Sequence, residues 1–373
     1  MTTVGVPKEL KPDEHRIAIT PDGVTELAHH GVAVIVERGA GIDSSVSNEA
    51  LAQAGAEIVD DAAAVWERAD MVLKVKEPQP DEYRFLRDDL VLFTYLHLAA
   101  YPEVARALLE AKTTGIAYET VQLANGSLPL LAPMSEVAGR MAPQIGAHFL
   151  ERRHGGKGIL MGGAPGVRPA RVVVLGAGNV GWNAAWIAQG MEAEVLLLDR
   201  NLDRLRWVDQ IHKGRIMTLA SNVGAVARAV ADADLVIGAV LVPGGRAPRV
   251  VTDAMIAAMQ ERSVIVDVAI DQGGSIEGIH ETTHSEPTFL RHGVLHYAVG
   301  NMPGAVPHTS TYSLTNATLP YVVDLATKGV RDACAADPAL AGGINTHAGE
   351  VVNDAVARAI GITGVPLASV LDA

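Results

Sequence analysis

The sequence predicts an α/β protein built of two doubly wound domains. Short apolar strands alternate with helical stretches from the first residues onward, and the alternation restarts after a long helical segment near the middle of the chain. The length of 373 residues also exceeds what one hydrophobic core usually organises. Composition agrees: 49% hydrophobic but only 4% aromatic, the balance expected of helices packed on buried parallel strands.

In the first half the strands are TVGVP, VAVIVE, MVLKVK, LVLFTY and GIAYE, with helical stretches such as PDGVTELAHHG, NEALAQAG and PEVARALLEAK between them. A helical segment over roughly 135–151 follows, then a Gly-rich passage, HGGKGILMGGAPGVRP. The alternation resumes through RVVVLG, EVLLLD, DLVIGAV and SVIVDVA. The last stretch reads as helical, since YVVDLATKGVRDACAAD and GEVVNDAVARAIG carry apolar residues at helical spacing. It follows GNMPGAVPHTST, which reads as a second crossing between domains. The expected organisation is residues 1–131 plus 308–373 as a discontinuous domain and 132–307 as the other. Two crossings would leave a cleft, where a cofactor and a small substrate usually meet.

Residues 171–181 read RVVVLGAGNVG: a β-branched run into Gly176, a G-x-G-x-x-G spacing with Gly178 and Gly181, then a helical pattern over about 180–191. Strand, tight turn and helix are the setting in which such glycines bind a dinucleotide. The first makes the bend, the second admits the pyrophosphate, and the third allows close helix–strand packing. Asn179 and Val180, inside the motif, belong to the same turn. The helix N-terminus faces the phosphates. A second apolar strand ends on Asp199, 23 positions beyond Gly176, close to the roughly 20 expected of a carboxylate that binds ribose hydroxyls. That charge repels a 2′-phosphate and favours NAD over NADP, although Arg200 and Arg204 leave a case for NADP.

The 43 acidic and 30 basic residues give a formal charge of −13, which disfavours nucleic acid and anionic membrane surfaces as partners. The N-terminus lacks the apolar core of a signal peptide, and the single cysteine, Cys334, can form no internal disulfide. The expected setting is the reducing cytoplasm. The most apolar tract, 223–244, is broken by Arg228, Asp232 and Asp234 and offers no membrane span. Metal ligation finds little support, because the 13 histidines are scattered and the nearest pair, His280 and His284, lacks the H-E-x-x-H order. No G-x-S-x-G elbow occurs, so hydrolase readings fade.

Four charged or titratable side chains stand at strand ends, where α/β sites lie. Lys76, in LKVKEP, shares a strand face with Val72 and Lys74. A solvated edge would explain both lysines, and an anion-holding role would explain one. His97, in FTYLHLA, reads either as an ordinary loop or core histidine or as a proton carrier near neutral pH. Arg16, in HRIAITP, is most simply a surface charge, yet a guanidinium can grip a carboxylate bidentately. Asp271 either caps the Gly273–Gly274 turn or stands near the nicotinamide, while Asp267, inside an apolar strand, needs partners or a function.

The blocks GVPKEL, HRIAITP, LKVKEP, FTYLHLA, APMSEVAGRMA, VVVLGAGNVG, DVAIDQGG and GNMPGAVPHTST occur in the order and spacing of the alanine dehydrogenase family. The chain resembles that family over nearly its whole length. The resemblance implies two Rossmann-like domains and reversible oxidative deamination of L-alanine to pyruvate and ammonia, with hydride passing to NAD. Arg16 would bind the substrate carboxylate, Lys76 the carboxylate or keto oxygen, and His97 would be the general acid/base, with Asp271 completing the catalytic set. On the cofactor side it implicates Ser135 near the pyrophosphate and nicotinamide, Asp199 at the adenosine ribose, Ser221 near the adenine, and Asn301 with Met302 near the nicotinamide; Arg204, close to Asp199 in sequence, is counted beside them as a cofactor-binding candidate. A homohexamer is the usual assembly. The competing readings are the NAD(H)-binding part of a proton-translocating transhydrogenase, a nucleotide sensor without turnover, and a saccharopine-type opine dehydrogenase.

Overall fold

The structure, a computed structural model, describes residues 2–240 and 247–371. The last residues of the 223–244 tract therefore lie outside it. Among the described residues no helix is long and apolar enough to cross a membrane. The chain forms two compact units, Met1–Met134 with Gly304–Ala373, and Ser135–Pro303.

In the first unit, strands β1 (Thr3–Val6), β2 (Ala33–Glu37), β3 (Glu57–Val59), β4 (Met71–Leu73), β5 (Val91–Thr94) and β6 (Thr114–Ala117) run parallel in the order β6-β5-β4-β1-β2-β3. The strands are almost wholly apolar because helices cover both faces. Those helices start where the sequence supplies a cap. Thr20 accepts the Gly23 N–H before Pro21–His29, Ser47 the Ala50 N–H before Asn48–Ala54, and Asp61 the Ala64 N–H before Ala62–Arg68. After β3 the chain returns to the other side of β1, so a topological switch point lies between β1 and β4. The crevice beyond the carboxyl ends of strands at such a point is where α/β folds place ligands.

The second unit repeats the logic with β7 (Arg171–Leu175), β8 (Glu194–Asp199), β9 (Met217–Ala220), β10 (Leu235–Gly238), β11 (Val264–Asp267), β12 (Thr288–Arg291) and β13 (Val294–Tyr297), in the order β12-β13-β11-β10-β7-β8-β9. Only β12 pairs antiparallel, and the switch point falls between β7 and β10. The helix Asn179–Gly190 follows β7, and Leu202–His212, capped by Asn201, follows β8.

The C-terminal stretch corrects the helical expectation in part. The long helix Pro307–Ala336, kinked at Gly329, is present, but β14 (Ile344–His347) then adds antiparallel to β6 and pairs with β15 (Glu350–Val351). The helix expected in GEVVNDAVARAIG begins only at Asp354, after Asn353 caps it. The short strands β3, β9, β12 and β13 also went unread, being too brief or too polar for alternation to show.

A second correction concerns Lys74. It lies on no solvated edge, because β4 sits in the middle of the sheet between β1 and β5. Its side chain is fully buried, with Nζ 2.9 Å from Glu82 Oε1 and 3.1 Å from Glu9 Oε2. Burial lifts the Glu9 carboxyl to about 6 against the pull of Lys74. Lys74 stays charged because the two carboxylates outweigh its desolvation.

Candidate active site

The parallel register of the first unit delivers four segments to the carboxyl edge of the sheet: the loop after β1, Lys74–Lys76 after β4, Tyr95–His97 after β5, and Tyr118–Thr120 after β6. Arg16 comes from the first. It is 2% exposed, which excludes the surface-charge reading. Its Nε and Nη2 donate to Glu14 Oε1 and Oε2 at 2.6 and 2.5 Å, and Nη1 donates to Met134 Sδ at 2.9 Å. Burial pushes the Glu14 carboxyl upward, but the Arg16 charge and hydrogen bonds, with Lys76 adding to them, overrule it and hold it at about 2.

Lys76 is partly buried, and its charge acts on Glu14, Glu119 and His97 together. Lys11 extends the cationic side, donating to Glu77 Oε1 at 2.5 Å and to the Tyr101 hydroxyl at 3.1 Å. His97 adopts φ 47°, in the left-handed region, and its ring lies parallel to Tyr95 with centroids 5.6 Å apart. Tyr95 is anchored through its hydroxyl, which donates to the Leu130 carbonyl at 2.6 Å. Desolvation, followed by the charges of Lys76, Lys11 and Arg16, pushes the imidazole down to about 3. The sequence-derived trio Arg16, Lys76 and His97 is thus one electrostatic constellation.

In the second unit the glycine turn has the geometry its spacing implied. Gly176 has φ 104°, and a Cβ there would stand 2.6 Å from the Ala239 carbonyl at the end of β10. At Gly181 a Cβ would overlap the Gly176 carbonyl, so helix and strand meet as closely as backbone permits. Gly178 is the N-cap of Asn179–Gly190, opening the N–H groups of Asn179, Val180 and Gly181 toward an anion. Asp199 ends β8, where its Oδ2 accepts the Ala177 N–H at 2.6 Å and its Oδ1 the Asn201 N–H at 2.7 Å. The carboxylate therefore shapes the turn as well as facing it. Arg204 reaches the same turn, its Nη1 beside Gly178, and the Ser221 N–H donates to the Asp199 carbonyl at 2.8 Å.

Asp271 is exposed in the short helix Val268–Gln272, and its Oδ1 accepts the Asn301 N–H at 3.1 Å. Asn301 has φ 54°, and Met302 behind it is buried in the core. Ser135 lies in the first turn of the helix Ala132–Leu150. Asp267 has a structural explanation: it accepts N–H groups of Ser275, Ile276 and Ala269 and the Ser275 hydroxyl. Among the described residues no cluster of His, Cys, Asp and Glu is arranged to hold a metal ion.

Two family profiles cover the chain, "Alanine dehydrogenase/PNT, N-terminal domain" over residues 5–138 and "Alanine dehydrogenase/PNT, C-terminal domain" over 142–354. The chain belongs to the alanine dehydrogenase/PNT family. It is 56% identical to the alanine dehydrogenase of Bacillus subtilis over 364 residues, 97% of this chain and 96% of that one. A solved L-alanine dehydrogenase superposes with a TM-score of 0.94 at 49% identity, covering 96% of this chain and 99% of the other. A transhydrogenase from Sinorhizobium meliloti superposes with a TM-score of 0.81 at 26% identity, covering 95% and 99%.

Within this alanine dehydrogenase/PNT chain, two members of the constellation escaped the sequence reading. Glu14 lies two residues before Arg16 in PDEHR, a run that looks like ordinary surface charge. Glu119 closes GIAYE, and only the pairing of β5 with β6 brings it to His97. A carboxylate immediately after a buried strand was the one signal available for it.

Proposed function

We propose that this protein is an NAD-dependent L-alanine dehydrogenase, catalysing the reversible conversion of L-alanine, NAD and water to pyruvate, ammonium, NADH and a proton. One observation carries the assignment of roles: His97 stands beside Lys76, Lys11 and Arg16, and desolvation followed by their charges pushes the imidazole down to about 3. Such a site is built to receive an anion. A substrate carboxylate docked on Arg16 and Lys76 cancels the part of the depression that comes from those charges and so favours the protonated imidazole. His97 then serves as the proton carrier beside bound substrate. In the reductive direction Lys76 and His97 polarise and protonate the keto oxygen of pyruvate while ammonia adds and water leaves, giving the imine.

The glycine turn fits NAD. Its open helix N-terminus at Gly178, Asn179, Val180 and Gly181 suits the pyrophosphate, with Gly176 making the bend, and Asp199 suits the adenosine ribose. Arg204 and Ser221 flank that end, while Ser135, Asn301 and Met302 serve the nicotinamide portion. Asp271, bonded to Asn301, serves there as a second catalytic group. Bound NAD supplies a hydride acceptor at nicotinamide C4.

We further infer a cytoplasmic homo-oligomer of six copies, from the family resemblance. The aromatic surface of Trp182, Trp186 and Trp207 supports a subunit contact, since Trp186 and Trp207 are 40% and 47% exposed yet cluster within 5.3 Å of Trp182. The test of the activity is NADH oxidation by the purified protein with pyruvate, with and without ammonium, repeated with NADPH. Strictly ammonium-dependent oxidation of NADH is expected. Tight NADH binding without turnover would overturn the reading in favour of a transhydrogenase component or nucleotide sensor.

A further inference from the structure

The pairing of β5 with β6 sets Thr94 opposite Ala117, and two residues further along each strand Glu119 meets the Leu96–His97 peptide. Its Oε1 accepts the His97 N–H at 2.6 Å and its Oε2 the Leu96 N–H at 3.3 Å. The same Oε1 lies 3.7 Å from His97 Nδ1, outside hydrogen-bond range but close enough to pair with the ring once it is protonated. His97 meanwhile keeps φ at 47°, a conformation that a non-glycine residue holds only when its surroundings impose it.

We propose that Glu119 is the positioning residue of the proton-transfer step. It clamps the His97 backbone in the left-handed conformation through two N–H groups and sets its carboxylate beside Nδ1, leaving Nε2 as the nitrogen that exchanges a proton with substrate. The inference rests on the reading of His97 as the acid/base. Around the ring stand Lys76 from beyond β4, Lys11 and Arg16 from the loop after β1, Tyr95 from just past β5 and Glu119 from beyond β6. When ionised, Glu119 sets an anion against cations that oppose protonation. Burial lifts its own carboxyl to about 7 in spite of its backbone hydrogen bonds and Lys76, so that anion forms as pH rises through the neutral range.

Glu119→Gln keeps one acceptor oxygen, for the shorter bond from the His97 N–H, and removes the charge, whereas Glu119→Ala removes both. Both are compared with His97→Ala and wild type in the full-length protein, measuring kcat and KM for pyruvate across pH and NADH affinity by fluorescence. Glu119→Ala is expected to lower kcat by about 10-fold to 100-fold, the range reached by misplacing a catalytic group, with NADH affinity unchanged. Glu119→Gln should recover much of that loss. Its profile should differ, however: an anion stabilises the imidazolium, so without it the limb reporting loss of the protonated acid moves to lower pH. A purely structural role would lower Tm and leave that limb in place. Wild-type kcat and profile in Glu119→Gln, or in Glu119→Ala where it folds, overturn the proposal if His97→Ala is inactive. Near-normal turnover in His97→Ala instead overturns the acid/base reading itself, and the Glu119 proposal with it.

Discussion

Arg16 and Glu14, two positions apart in the loop after β1, form a buried bidentate pair, Nε to Oε1 at 2.6 Å and Nη2 to Oε2 at 2.5 Å. Both side chains are almost without solvent contact, at 1% and 0% exposure. A guanidinium gripped this way is held rigidly at the switch point of the sheet.

Replacing Glu14 by Gln leaves the buried Arg16 without its counter-ion, and breaking such a pair typically costs about 3–5 kcal/mol. The cost should depend on pH in a definite sense. The folded pKa of Glu14, about 2, lies below the ordinary 4.5, so its stabilisation is complete above 4.5 and fades as pH falls toward 2. Denaturant unfolding of wild type and Glu14→Gln should therefore differ most near neutral pH and converge on acidification. A gap that stays constant with pH would refute the ion-pair account.

For His97→Ala, turnover should fall by about 100-fold to 10,000-fold, the usual value of general acid/base assistance. The NAD cradle belongs to the other unit, so NADH affinity should be retained. Steady-state rates with a parallel binding titration separate the two.

Asp199→Ala should weaken NADH binding or admit NADPH, with a smaller effect on the chemical step. The carboxylate also holds the Ala177 and Asn201 N–H groups, so Asp199→Asn, which keeps an acceptor, should preserve the turn better and isolate the effect of charge. The ratio of kcat/KM for NADH and NADPH is the measurement, and an unchanged ratio in both variants would remove Asp199 from cofactor selection.

Lys74→Met should destabilise the first unit by about 3–5 kcal/mol, because Glu9 and Glu82 would remain buried without their cation. The loss should shrink in Lys74→Met with Glu9→Gln, measured by urea unfolding as a double-mutant comparison. Additive losses would show that Lys74 and Glu9 do not act as a pair.

The sequence by itself determined the two α/β domains and the glycine turn, and it marked Arg16, Lys76 and His97 as candidates. The first two are written in local pattern: apolar runs of strand length and a Gly spacing between strand and helix. The three side chains stand out from ordinary strand-end charges only through the resemblance of their blocks to the alanine dehydrogenase family. The sequence could not tell Lys74 from Lys76. Two residues on one strand face share a periodicity, and only the sheet order shows that β4 is central and that Glu9 and Glu82 close over the first lysine. It missed β14 and β15 because strands this short gain their stability from their partners, β14 from the edge of β6, more than 220 residues away in sequence, and β15 from β14. Tertiary structure alone also decided the electrostatics of the first unit. Glu14 and Glu119 acquire their meaning from burial and from neighbours brought by β1 and by the β5–β6 register. The pKa of a carboxylate is set by what surrounds it in space, which a linear pattern does not record.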